Sequence, residues 1–214
     1  MKAGSNGREA KRSNALILVR HGQSHKNREH RHGGSGLPLT EEGRRQAIQF
    51  ASDARRLCPD ARIVSIDRTH CVETAQIIGE TLGAEVNVDP DLRPFYLGVM
   101  DGLSEAEAAQ RYPEWAAAIA DWRRGFSGWP SLTITGAMSE DAFHASGQQF
   151  LGKLDDQPGV TVLVASRSIL IMLWNMMRAY DGPHVARPWS FLEWVEFTRA
   201  PADPWVEGRT QRLS

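Results

Sequence analysis

Two short runs, Arg20-His21-Gly22 and Ser166-Arg167-Ser168, concentrate the side chains of this sequence best suited to holding an anion. Arginine presents a planar fork of donors that matches phosphate oxygens. An adjacent imidazole can attack phosphorus as a nucleophile. Gly22, lacking a side chain, is expected to let backbone approach a ligand. A helix starting after Ser168 would turn free amides and a partial positive charge toward the same anion. Phosphate capture or phosphoryl transfer is the chemistry these types suit.

Both runs follow apolar segments that read as buried strands, Ala15–Val19 and Val160–Ala165. In an open α/β sheet, ligands gather beyond the carboxyl ends of strands, which is where both clusters fall. The other segments alternate in kind. Thr40 is placed to cap a helix running from Glu41, and Ala61–Ser65 reads as a strand. Cys71–Leu82 carries Ala75, Ile78 and Leu82 at helical spacing, and Glu85–Val88 reads as a further strand. Ser104–Arg124 is helical with Pro113 as a break or new first turn, Gly125–Gly136 is a loop, and Glu140–Leu154 and Ile169–Ala179 are helices. Trp194–Thr198 supplies a last strand. The expectation is a three-layer αβα sandwich with a mainly parallel central sheet.

The 214 residues suit one domain, spanning 14–214 with a helical insertion at about 104–139, after a disordered basic tail over 1–13. That tail has no apolar stretch to act as a signal or membrane segment. Twenty-five Lys+Arg against 26 Asp+Glu leave a net charge of -1, too balanced for a nucleic-acid or acidic-membrane partner. Cys58 and Cys71 have neither disulfide-framework nor zinc-site spacing, which fits a cytoplasmic setting. No metal or other cofactor is expected. Trp115, Trp122 and Trp129 read as core and lid packing, and Met172, Met176 and Met177 as core or a partner surface.

Leu18-Val-Arg-His-Gly-Gln-Ser24 with Asn27, then Leu37-Pro-Leu-Thr40, Gly43 and Gln46-Ala47, resembles the opening signature of the histidine phosphatase superfamily, the phosphoglycerate mutase-like proteins. The resemblance continues through Glu73-Thr-Ala75, Gly98, Asp101-Gly-Leu103 and Arg111-Tyr-Pro-Glu114 to Ser168. It implies a phosphohistidine at His21, with Arg20 as the first phosphate clamp and Gly22, Asn27, Ser166 and Ser168 around the phosphoryl group.

The other family positions are altered. His70 falls where the second arginine is expected, with Arg68 two residues away as the competing candidate, and Arg167 falls where the second histidine is expected. Pro94 stands where phosphoesterase members usually carry an acidic glutamate. Asp101, Glu73 and Tyr96 are the candidate replacement acids, with His70 itself a further one.

The resemblance thus implies phosphoryl transfer or hydrolysis on a small phosphorylated compound, a phosphatase rather than a mutase, acting on monoesters, acyl phosphates or phosphoramidates. A catalytically impaired relative that senses phosphate or a phosphorylated metabolite is the main alternative. A biosynthetic enzyme with a rebuilt anion pocket is another. Inorganic phosphate or a small phosphorylated substrate is the expected ligand.

Overall fold

The computed structural model describes residues 13–34, 36–124, 134–179, 187–200 and 202–212. Residues 1–12 of the expected tail, most of the Gly125–Gly136 loop and Trp129 lie outside that set.

In chain order the elements are β1 (Asn14–Arg20), α1 (His25–Arg28), α2 (Glu41–Leu57), β2 (Arg62–Ile66), α3 (Thr69–Leu82), β3 (Val86–Asp89), α4 (Glu105–Arg111) and α5 (Pro113–Arg124). They continue with α6 (Glu140–Asp155), β4 (Gly159–Ala165), α7 (Arg167–Met177), β5 (Trp194–Arg199) and β6 (Val206–Gln211). A single 3-10 turn, Gly98–Met100, precedes α4. Pro113 is the first residue of α5, a position where its missing N–H costs nothing.

The strands lie in the order β3-β2-β4-β1-β5-β6. β3, β2, β4 and β1 run parallel, and β5 and β6 add antiparallel edges. β1 and β4 pair along their whole lengths, and both are buried over their last five residues, as strands covered on two faces must be. Right-handed crossovers from β1 to β2 to β3 travel one way and place α2 and α3 on one face. The return to β4 and on to β5 reverses direction and places α6 and α7 on the other.

Local chemistry agrees with these assignments. Thr40 Oγ1 accepts from the Gly43 amide at 3.0 Å to cap α2, a contact of about 1 kcal/mol. Ala47, Phe50, Ala51 and Ala54 follow at helical spacing and are buried. Gly83, at φ 69°, closes α3 in the left-handed region. One large core joins Leu16–Val19, Phe50, Ile63, Phe143, Leu163, Met172 and Met177, and a smaller cluster of Leu97, Met100, Ala108, Ile119 and Ile134 sits under α4 and α5. Trp115 packs on that smaller cluster and stacks with Tyr112. Among the described residues no helix is long and apolar enough to cross a membrane.

Candidate active site

The register that pairs Arg20 with Ala165 brings the carboxyl ends of β1 and β4 level, and the His21 amide donates to the Ala165 carbonyl at 3.2 Å. Beside them β2 delivers the chain to Arg68 and α3. Three strand ends therefore open on one cavity of about 350 Å³. Arg20, His21, Asn27, Arg68, His70, Ser166, Arg167 and Ser168 all line it. The competition expected between Arg68 and His70 does not arise, since α3 presents both. α3 and α7 both begin here, at Arg68 and Ser166, without a side-chain cap.

His21 is 3% exposed, and its Nδ1 lies 2.7 Å from the Gly22 carbonyl. A carbonyl only accepts, so Nδ1 carries the proton and Nε2 keeps its lone pair. His70, 1% exposed, has the same arrangement, with Nδ1 3.2 Å from the Leu37 carbonyl, while its buried Nε2 has no partner among the described residues. Burial, His70 and Arg20 hold the His21 ring well below the usual imidazole range. Burial and then Lys26 push His70 down to about 4. Both rings are neutral at physiological pH.

Arg20 is held by the segment that enters β5. It donates through Nη1 to the Trp189 carbonyl, and its guanidinium lies over the Phe191 ring, 4.1 Å from the centroid. Burial and then Arg167 lower it to about 9, whereas the fully buried Glu193 raises it. Glu193 is itself occupied, accepting from Arg187 Nη2 and the Ser190 amide at 2.7 Å. Burial and then Arg123 lower Arg167. Arg20, Lys26, Arg68 and Arg167 have no ion-pair partner among the described residues. Mutually repelling cations around two neutral imidazoles make a receptor for an anion.

The expected acids lie elsewhere. Glu73 accepts from the Leu39 amide at 2.8 Å and pairs with Arg44 at 3.3 Å, steadying the loop whose Leu37 carbonyl orients His70. Asp101 accepts from the Gly34 amide at 2.9 Å, and Tyr96 is 43% exposed; none of the three lines the cavity. Gly22 is also off the wall. A Cβ there would sit 2.5 Å from the Gly43 carbonyl oxygen, and the Gly22 amide donates to Thr74 Oγ1, so this glycine serves the packing of the loop on α2 rather than a ligand.

Sequence reasoning missed Lys26, Glu105, Arg123, Trp122 and Phe191 on the wall. Glu105, the one carboxylate among the described wall residues, pairs with Arg123 at 2.7 Å. Lys26 adjoins Asn27 in the signature loop, which was the available signal; nothing in the sequence marks Phe191 as facing the cavity. From the segment after α1, His30 and Arg31 reach the wall, while His32 is buried with its Nδ1 accepting from Arg123.

His21, His70 and Cys71 place donor atoms within 4.8 Å of one another, the one such group of histidine, cysteine or acid among the described residues. Arg20, Lys26 and Arg68 surround it and oppose a further positive charge, and burial pushes the Cys71 thiol up to about 12.

Parallel strand ends feeding an arginine- and histidine-lined cavity define an α/β protein with a cationic pocket at the carboxyl ends of its strands. The chain belongs to the histidine phosphatase superfamily, branch 1, whose pattern matches residues 16–192. A probable phosphoglycerate mutase GpmB of Cronobacter sakazakii is 41% identical over 102 residues, 45% of this chain and 47% of that protein. The chain thus spans about half the length of the curated relatives it matches. The native structure of a mycobacterial glucosyl-3-phosphoglycerate phosphatase superposes with a TM-score of 0.75 at 26% identity, covering 92% of this chain and 97% of that one. The same phosphatase in complex with VO3 gives 0.74 at 25% identity, covering 91% and 96%.

Proposed function

We propose that this protein transfers the phosphoryl group of a small phosphorylated compound to His21 Nε2 and then to water. The observation that carries this reading is the neutral, pre-oriented imidazole of His21, with its Nδ1 proton on the Gly22 carbonyl, among cations free of ion pairs. Nε2 attacks phosphorus while Arg20, Arg167, Arg68 and the first amides of α7 face the equatorial oxygens. The leaving oxygen departs with the bonding electrons, and water later releases phosphate and restores the ring. His70 and Arg167 exchange the residue types that the family resemblance implies at their positions, so Arg20, His21, His70 and Arg167 together still offer two arginines and two histidines.

The supporting test is turnover of an acyl phosphate and of nitrophenyl phosphate. Both should be hydrolysed, and His21→Gln should abolish hydrolysis while inorganic phosphate still raises the melting temperature. Equal turnover by His21→Gln would overturn the reading. A phosphate-sensing relative without turnover is the second reading, favoured by one observation: the single wall carboxylate, Glu105, is committed to Arg123.

A further inference from the structure

Alkoxide leaving groups need a proton, and the cavity wall limits what can supply it. Glu105 is committed to Arg123, whose Nη1 donates to it at 2.7 Å. The Nδ1 protons of His21 and His70 are committed to backbone carbonyls. Arg20, lowered only to about 9, has its Nη1 on the Trp189 carbonyl, and its delocalised guanidinium holds its protons more firmly than an ammonium does. Glu73, Asp101 and Tyr96 are off the wall.

We infer that Lys26, on α1, is the proton donor to the leaving oxygen, an assignment that rests on the phosphohistidine reading above. Lys26 lines the cavity without an ion-pair partner among the described residues, and its charge is felt by His21, His70 and Cys71. α1 is short but fixed. Asn27 Oδ1 accepts from the Ser24 amide and hydroxyl at 3.1 and 2.7 Å, and the His25 amide donates to the Pro38 carbonyl. The Arg31 amide donates to the Lys26 carbonyl, which ties α1 to the next turn.

As His21 Nε2 bonds to phosphorus, the phosphorus–oxygen ester bond breaks and its electron pair stays on the leaving oxygen. That oxygen takes a proton from Lys26 Nζ, leaving a neutral amine. In the second step the amine accepts a proton from the attacking water, and the phosphorus–nitrogen bond returns its electrons to Nε2. Burial lowers Lys26 to about 8, with Arg123 and Arg68 lowering and Cys71 and Asp101 raising it. With His21 and His70 neutral beside it, Lys26 is charged at pH 7 yet releases its proton more readily than a solvated lysine.

The test compares kcat/KM for an alkyl phosphate and nitrophenyl phosphate in wild type, Lys26→Met and Lys26→Arg. With the alkyl ester both variants should lose about 10²- to 10⁴-fold, and with nitrophenyl phosphate much less, because a good leaving group needs no proton. The alkaline limb near 8 in the wild-type alkyl profile should be absent from Lys26→Arg, which keeps the charge but not the releasable proton. A thermal shift of Lys26→Arg with inorganic phosphate checks that the fold and cavity persist. If wild type forms phosphohistidine but the variants lose equally on both esters, the Lys26 assignment fails and the proposed function stands. If wild type forms none with either ester, both fall together.

Discussion

The rings of His21 and His70 lie 4.3 Å apart, centroid to centroid, tilted by 58°. Two imidazoles this close and this buried cannot both be charged, and each hands its Nδ1 proton to a backbone carbonyl. The pair is an uncharged floor beneath a ring of cations.

Stability should therefore depend on pH in one direction. Both histidines have folded-state values below the unfolded value, His70 at about 4. Between about 6.5 and that value the unfolded chain binds protons that the folded chain does not, so stability is greatest above the window and falls as pH drops through it. Urea midpoints should decrease steadily from neutral pH toward pH 4, and His70→Gln should flatten the slope.

Arg20, the proposed anion clamp, is held by the Trp189 carbonyl and the Phe191 ring. A charge-assisted hydrogen bond contributes about 1.5–3 kcal/mol, so Arg20→Ala should weaken inorganic phosphate binding about 10- to 150-fold. Arg20→Lys should recover only part of this, because an ammonium lacks the planar fork. Equilibrium titration followed by tryptophan fluorescence or calorimetry measures both.

Gly22→Ala should destabilise the fold by about 1–3 kcal/mol, because the added Cβ meets the Gly43 carbonyl oxygen at 2.5 Å. Gly36→Ala, where a Cβ meets nothing within 4 Å, is the matched control and should be near neutral. Denaturant midpoints compare the two.

Glu193, buried completely, joins Arg187, the Ser190 amide and Arg212 Nε. Breaking a buried pair from one side costs about 3–5 kcal/mol, and Glu193→Ala should lower thermal stability by that order. Because the Glu193 carboxylate also favours the charged form of Arg20, phosphate affinity should fall with it.

The parts of the fold that bury apolar periodicity were legible from residue order alone. β1, β4, α2 and α3 follow their hydrophobic patterns, and the register of β1 on β4 then forces the two anion-binding runs together. β6 carries Val-Glu-Gly-Arg-Thr-Gln with every residue exposed, so it has no pattern to read and exists through backbone pairing with β5. The acids illustrate a second limit. Glu73, Asp101 and Tyr96 are near the altered motif in sequence, but their direction is set by the amide of Leu39, the amide of Gly34 and solvent. Glu105 and Lys26 reach the cavity because residues 30–32 are hydrogen-bonded to residues 102–105, a tertiary fact no local pattern contains.

The proposed reaction phosphorylates His21 Nε2. The most direct measurement is rapid mixing with an acyl phosphate, an alkaline quench that preserves phosphoramidates, and peptide mapping by mass spectrometry. An acid-labile phosphate is expected on the peptide containing His21, absent in His21→Gln and formed more slowly in Arg20→Ala. Turnover of the acyl phosphate with no phosphate on His21 at any quench time would contradict it.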